Sequence, residues 1–198
     1  MYICIDVHKQ RTPIEDKDMT TSGKETRWVV DPSHSEISFR VKHLMITNVK
    51  GVFREYQVEV FTDGDDFTDA RITFTMTPAS IFTDDEKRDA HLRSADFFDV
   101  QHFPEAGFTG SSFVATGTDT YELTGDLTMR GVTRTVKLNV GFEGIINDPW
   151  GHHKAGFTVT GKINRRDWGL NWNTAVEAGG VMVSEEVRIE CEVQLTRK

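Results

Sequence analysis

The sequence predicts an all-β fold: an antiparallel barrel of about eight strands, closed or nearly closed, with one short surface helix. Three observations carry that prediction. Apolar and polar residues alternate with period two in run after run, the mark of half-buried strands. Turn residues punctuate the runs at Asp63-Gly64-Asp65, Thr116-Gly117, Arg130-Gly131, Asn147-Asp148-Pro149 and Gly179-Gly180. Several runs are long. At about 3.3 Å per residue, residues 181–195 would extend over roughly 50 Å, which suits a tall, tilted barrel better than a sandwich. A barrel of this size either fills with its own side chains or holds one ligand, and the pattern alone leaves both open.

Residues 1–26 differ from the rest. They are polar, mixed in charge and without period, so they read as a flexible tail before one domain over 27–198. Met19 is a plausible alternative start, because the patterned region begins soon after it. The first inward rows are Ile37, Phe39 and Val41, then Tyr56, Val58 and Val60, then Ile72, Phe74 and Met76. Thr83-Asp84-Asp85-Glu86 has the form of a capping box, with Thr83 as N-cap. Acidic residues open this helix and Lys87, Arg88 and Arg93 follow, an order that suits the helix dipole. It runs to about Ser94 with few apolar positions, chiefly Ala90 and Leu92, so it should lie on the surface and cover one barrel end. Phe97, Phe98 and Phe103 would anchor the loop beyond it.

Strand patterning resumes with Ala106 and Phe108, then Tyr121, Leu123, Leu127 and Met129. Val132, Val136, Leu138, Val140 and Phe142 form the next row, and Ala155, Phe157, Val159 and Ile163 the one after. The last row is the clearest: Val181, Val183, Val187, Ile189, Cys191, Val193 and Leu195, broken only by Glu185.

The bulk properties narrow the function classes. A length of 198 residues suits a single domain, and abundant Phe supplies core bulk. A net charge of −8 disfavours a nucleic-acid backbone or an anionic bilayer face as partner. Two cysteines, Cys4 and Cys191, are too few for a disulfide scaffold or a Cys-x-x-Cys metal knuckle. No apolar run approaches the roughly 18 residues of a transmembrane helix. The opening residues lack the basic start and apolar run of a secretion signal, so the cytoplasm is the expected compartment.

Candidate chemistry is sparse. His152-His153 suggests a metal, but neighbours on a strand point to opposite faces, so no metal is expected there. There is no Gly-x-Ser-x-Gly elbow and no phosphate loop. Asp96 near Arg88, and Asp167 after Arg165-Arg166, read as ion pairs. Trp150, Trp168 and Trp172 either line a mouth or pack. His43 and His91 read either as head-group contacts in a polar lid or as hydrogen bonds that pin a short helix to the barrel, and the second is favoured. The one acid on an inward row is Glu185, which an enzyme working inside the barrel would need.

Four stretches together resemble the YceI-like family of lipid-binding proteins with an extended lipocalin-like barrel. They are WVVDPSHSEISFRVKHL from Trp28, RDAHLRSADFFDVQHFPEAGF from Arg88, LTGDLTMRGVTRTVKL from Leu123 and DPWGHHKAGFTVTGKINRRDWGLNWN from Asp148. The resemblance spans essentially all of 27–197. It implies a lumen for a long isoprenoid chain of polyprenyl or prenyl-quinone type, with no catalytic residue and no cofactor. Many family members carry a secretion signal. The polar tail here departs from that and favours a cytoplasmic carrier or stress-related sequestration role, with a homodimer open. The expected lining is Phe39, Val41, Tyr56, Val58, Phe74, Met76, Phe108, Leu127, Val136, Leu138, Phe157, Val159, Val187 and Ile189. Arg40, His43, His91 and Arg93 are the candidate head-group contacts. Alternatives are an enzyme acting on a lumen-bound lipid, and an interaction protein whose barrel is filled by side chains.

Overall fold

The computed structural model describes residues 25–174 and 182–198. The expected tail, the alternative start at Met19, Cys4 and the Gly179-Gly180 turn lie outside these residues, apart from Glu25 and Thr26, which open the first strand. The strands are β1 (Glu25–Val30), β2 (Glu36–His43), β3 (Thr47–Phe53), β4 (Tyr56–Asp63), β5 (Asp66–Met76) and β6 (Ile81–Phe82). After helix α1 (Glu86–Arg93) come β7 (Ala106–Gly117), β8 (Thr120–Met129), β9 (Val132–Asn147), β10 (His153–Asn164) and β11 (Val183–Arg197).

All pairings are antiparallel. The order β1-β4-β5-β7-β8-β9-β10-β11 returns on itself, because β11 also pairs with β1 through Trp28↔Arg197 and Val30↔Leu195. The sequence reading of an eight-stranded closed barrel is therefore met. β2, β3 and β6 extend this ring at one end. β2 runs along the first half of β11, with Phe39 opposite Ile189 and Val41 opposite Val187. β3 pairs with β2, and β6 with β3.

β1 and β2 thus act as one long strand interrupted at Asp31–Ser35, and β3 and β4 as another interrupted at Arg54–Glu55. A third interruption, Thr77–Ser80, separates β5 from β6. Hydrogen bonds join the three breaks. Tyr56 Oη donates to the Ser35 carbonyl (2.8 Å), and the Arg54 and Glu55 amides donate to Ser80 Oγ (3.1 and 3.0 Å). The backbone groups freed from the ladder thus find partners at the breaks themselves.

The helix starts later than its capping box suggests. Asp85 is the N-cap, its side chain accepting from the Arg88 amide (2.9 Å). Thr83 instead turns inward, where its amide and hydroxyl both donate to buried Asp89 Oδ1 (2.9 and 2.5 Å). The competition favours the arrangement in which both buried polar groups are paired.

The closed end is filled with rings. Trp28 is fully buried, donates Nε1–H to Thr62 Oγ1 (2.9 Å) and lies 5.2 Å from Phe67 between ring centroids. Phe67 in turn meets Phe157 edge-on at 4.9 Å, and Phe142 lies 5.3 Å from Phe157. The other end holds a cavity beneath α1 and the residues that follow it.

An apolar cavity as the candidate functional site

A cavity of about 240 Å³ occupies the end of the barrel opposite the aromatic plug. β2 supplies Ile37, Phe39 and Val41, β5 supplies Ile72, Phe74 and Met76, and β11 supplies Val183, Val187, Ile189, Cys191 and Val193. Their shared face follows from the period of two: Phe39, Val41, Val187 and Ile189 are cross-strand partners on one side of the sheet. Leu92 of α1, with Phe97 and Phe98 beyond it, covers the cavity, so the helix closes over the lumen rather than merely coating the outside. Phe98 meets Phe53 edge-on at 5.7 Å, which anchors that cover to β3.

Of the expected lining, Phe39, Val41, Val58, Phe74, Met76, Phe108, Leu127, Val136, Leu138, Val159, Val187 and Ile189 all face this cavity. Phe157 lines a smaller neighbouring cavity of about 70 Å³ instead. Tyr56 lines neither, because its hydroxyl is drawn to Ser35 at the strand break. Sequence reading missed Phe53, Leu92, Phe97, Phe98, Leu170 and Arg165 as lining residues. The first four were visible as apolar groups but had no inward row to assign them to. Ile37, Ile72, Leu123, Met129 and Ile163 stood on the correct parity and belong to the wall.

Glycines keep the space open. Phe39 lies over Gly51, Phe108 over Gly125 and Leu138 over Gly161, and a Cβ at any of these three positions would strike the side chain above it. The lining rings can therefore lie flat on the wall instead of filling the lumen.

The expected head-group residues do not gather at the cavity. Arg40 faces outward, where its Nε donates to Glu190 Oε2 (2.6 Å), because its parity is opposite to Phe39 and Val41. Arg93 donates to the carbonyls of Ala79 (2.7 Å) and Ile81 (2.8 Å), pinning α1 to the break before β6. His91 lies 2.8 Å from Asp96 Oδ2, with its ring edge-on to Trp172 at 4.7 Å and to Phe97 at 5.1 Å. Asp96 therefore pairs with His91, not with Arg88, whose guanidinium donates to Thr83. His43 ends β2, just beyond Val41.

Glu185 also departs from its expected row. The register slips between Val183 and Val187, which turns Glu185 to solvent, where Arg166 Nη1 donates to it (2.7 Å). That guanidinium holds the Glu185 carboxyl below its ordinary range. His152 and His153 are separated by their partners: His152 Nδ1 lies 2.9 Å from Asp148, and His153 Nε2 lies 3.1 Å from Asp65. Among the described residues no group of three or more His, Cys, Asp or Glu side chains is placed to hold a metal ion.

The one charged side chain in the lining is buried Arg165. It donates to the carbonyls of Ser184 (2.9 Å), Leu170 and Val183 (3.5 Å), tying the turn after β10 to the start of β11. Burial lowers its pKa from the ordinary arginine value. Cys191 also faces the lumen. Loss of water around its thiol pushes the pKa up to about 11, so it stays protonated and unreactive at neutral pH.

A closed antiparallel barrel with this cover and a hydrocarbon lumen now stands beside the comparisons. The YceI-like domain matches residues 28–195. The chain belongs to the YceI-like family. A UPF0312 protein of Staphylococcus aureus (strain MSSA476) is 38% identical over 172 residues, covering 86% of this chain and 98% of the relative. A crystal structure of a Campylobacter jejuni YceI protein superposes with a TM-score of 0.69 at 29% identity, covering 79% of this chain and 90% of that one. The YceI-like fold also appears in a polyisoprenoid binding domain from Saccharophagus degradans, with a TM-score of 0.61 at 15% identity and coverage of 86% and 98%.

Proposed function

We propose that this YceI-like protein binds a long isoprenoid chain in its lumen and stores or carries it without chemical change. The observation that carries this reading is the cavity itself, walled by the hydrocarbon groups of seven or more strands' worth of inward rows and covered by Leu92, Phe97 and Phe98. An apolar chain that buries several hundred Å² there gains on the order of 10 kcal/mol, before ordering costs, at roughly 25 cal/mol per Å². No polar grip is needed at that magnitude. The Saccharophagus degradans domain, which shares the fold, is named for polyisoprenoid binding. An enzymatic reading loses its main residue, since Glu185 sits outside the wall in an ion pair.

Organic extraction of the purified protein followed by mass spectrometry tests the proposal. A prenyl lipid at near one-to-one stoichiometry is expected. Phe74→Asp, which puts a carboxylate into the wall at a cost of several kcal/mol while ionised, should abolish retention in a protein that still gives a β-sheet circular dichroism spectrum. Recovery of no apolar chain from the wild type, or full retention by folded Phe74→Asp, would overturn it.

A further inference from the structure

We propose that the tip of the β2–β3 hairpin, Leu44-Met45-Ile46, is a membrane-docking element that seats the cavity end of the barrel on an anionic lipid surface. The proposal rests on the lipid-carrier reading, because a carrier must meet a bilayer to exchange its cargo.

Three consecutive apolar side chains stand in water at this tip: Leu44 is 39% exposed, Met45 53% and Ile46 77%. The backbone is equally unusual. Leu44 has φ 50° and Met45 φ 60°, left-handed values that hairpin turns normally assign to Asn and Gly. The turn is nonetheless formed, with the Ile46 amide donating to the His43 carbonyl (3.2 Å). Neither solvation nor turn geometry selects Leu and Met here. A surface that takes up their side chains does.

Position supplies the second argument. Val41 and Val183 line the cavity, His43 pairs with Val183, and the Leu44 amide donates to the Met182 carbonyl (2.8 Å). The tip therefore begins where the apolar lining ends. A lipid crossing between bilayer and lumen would pass it.

Charge supplies the third. The hairpin from Glu36 to Phe53 carries Arg40, Lys42 and Lys50 against one acid, Glu36, in a chain of net charge −8. Arg40 and Lys50 are answered by Glu190 and Glu36 from neighbouring strand positions. Lys42, two residues from the tip, pairs with no carboxylate among the described residues. The net charge disfavours an anionic bilayer for the molecule as a whole, but on approach the acidic remainder is repelled and this hairpin leads, so the charge distribution orients the molecule with its cavity facing the lipid. Ile146 and Trp150, also exposed and apolar, lie at the opposite end, away from the cavity, beside Asp148 and opposite Lys154, whose charge Asp31 answers.

Sedimentation of the full chain with vesicles tests the proposal. Vesicles of phosphatidylcholine alone are compared with an equal mixture of phosphatidylcholine and phosphatidylglycerol. Wild-type protein should pellet with the mixed vesicles, and less so as salt is raised. Leu44→Asn/Met45→Gly/Ile46→Thr places the favoured turn residues at the two positive-φ positions, so the hairpin should stay folded while the bound fraction drops about tenfold. Ile146→Thr/Trp150→Ser should pellet like the wild type. Equal pelleting of wild type and hairpin variant, or no pelleting of wild type with either vesicle, overturns the docking role, the second outcome leaving the tip to a protein partner. Extraction keeps the two readings apart: a lipid-loaded protein that ignores vesicles sinks only the docking role, and vesicle binding by a protein that never yields a lipid sinks the carrier reading.

Discussion

Gly125 shows how a single residue can set the caliber of the lumen. A Cβ there would meet the Phe108 ring and stand 2.5 Å from the Thr109 carbonyl, so the obstruction is partly backbone and cannot swing away. Gly125→Ala should cost about 2 kcal/mol by overpacking, read from urea denaturation, and should lower lipid retention as Phe108 is pushed into the cavity. Asp31 acts at the break between β1 and β2. Lys154 Nζ lies 2.8 Å from its carboxylate, Gln194 Nε2 donates to it (3.1 Å), and the Ser33 amide and hydroxyl also donate (3.1 and 2.6 Å). The Lys154 ammonium, then the Ser33 hydroxyl, hold its pKa well below the usual carboxylate range. A depressed folded pKa gives stability that is complete above the unfolded value near 4 and is lost as pH falls toward the folded one. Asp31→Asn should therefore lose about 2 kcal/mol at neutral pH, and the gap to wild type should narrow below about pH 4 in unfolding titrations. At this scale the sequence was informative about the wall and poor about polar partners. Parity placed Phe74 and Leu138 correctly, because a strand has only two faces. Nothing in the order of residues indicated that Arg93 would turn to two carbonyls, or that the Tyr56 hydroxyl would end on the Ser35 carbonyl.

Among the elements, α1 matters more than its polar composition implied. Its one apolar contribution to the cavity is Leu92, and the two Arg93 hydrogen bonds hold it against the break before β6. Removing them with Arg93→Ala should cost about 1–2 kcal/mol locally, which hydrogen exchange would show as amide protection in Glu86–Arg93 falling about tenfold while β8 and β9 stay protected. The capping box was legible but misplaced: two acids and a threonine in sequence offer more than one N-cap, and burial of Asp89 decides for Asp85. The last strand was legible along its length except at Glu185. A register slip inserts no recognisable residue pattern, so alternation alone carries the reader across it to the wrong face.

At the scale of the whole molecule, class and strand number were legible, since alternation and turns repeat often enough to outvote local errors. That the barrel is hollow was not, because the same rows of valine and phenylalanine can interdigitate or stand apart. The aromatic end and the cavity end differ in three-dimensional arrangement, not in composition. A lumen of this kind couples occupancy to stability by mass action. Protein stripped of lipid should melt several degrees below the loaded form in a calorimetric scan, and adding the extracted lipid back should restore the higher Tm.

Ring closure through β1 and β11 has a consequence for synthesis. β1 and β2 are made shortly before their partners β4 and β3, yet their other edge waits for residues 183–197, the last of the barrel's strands to be translated. Until then a nascent chain carries an unpaired strand border of the kind that recruits other chains, and ring closure has to wait for β11.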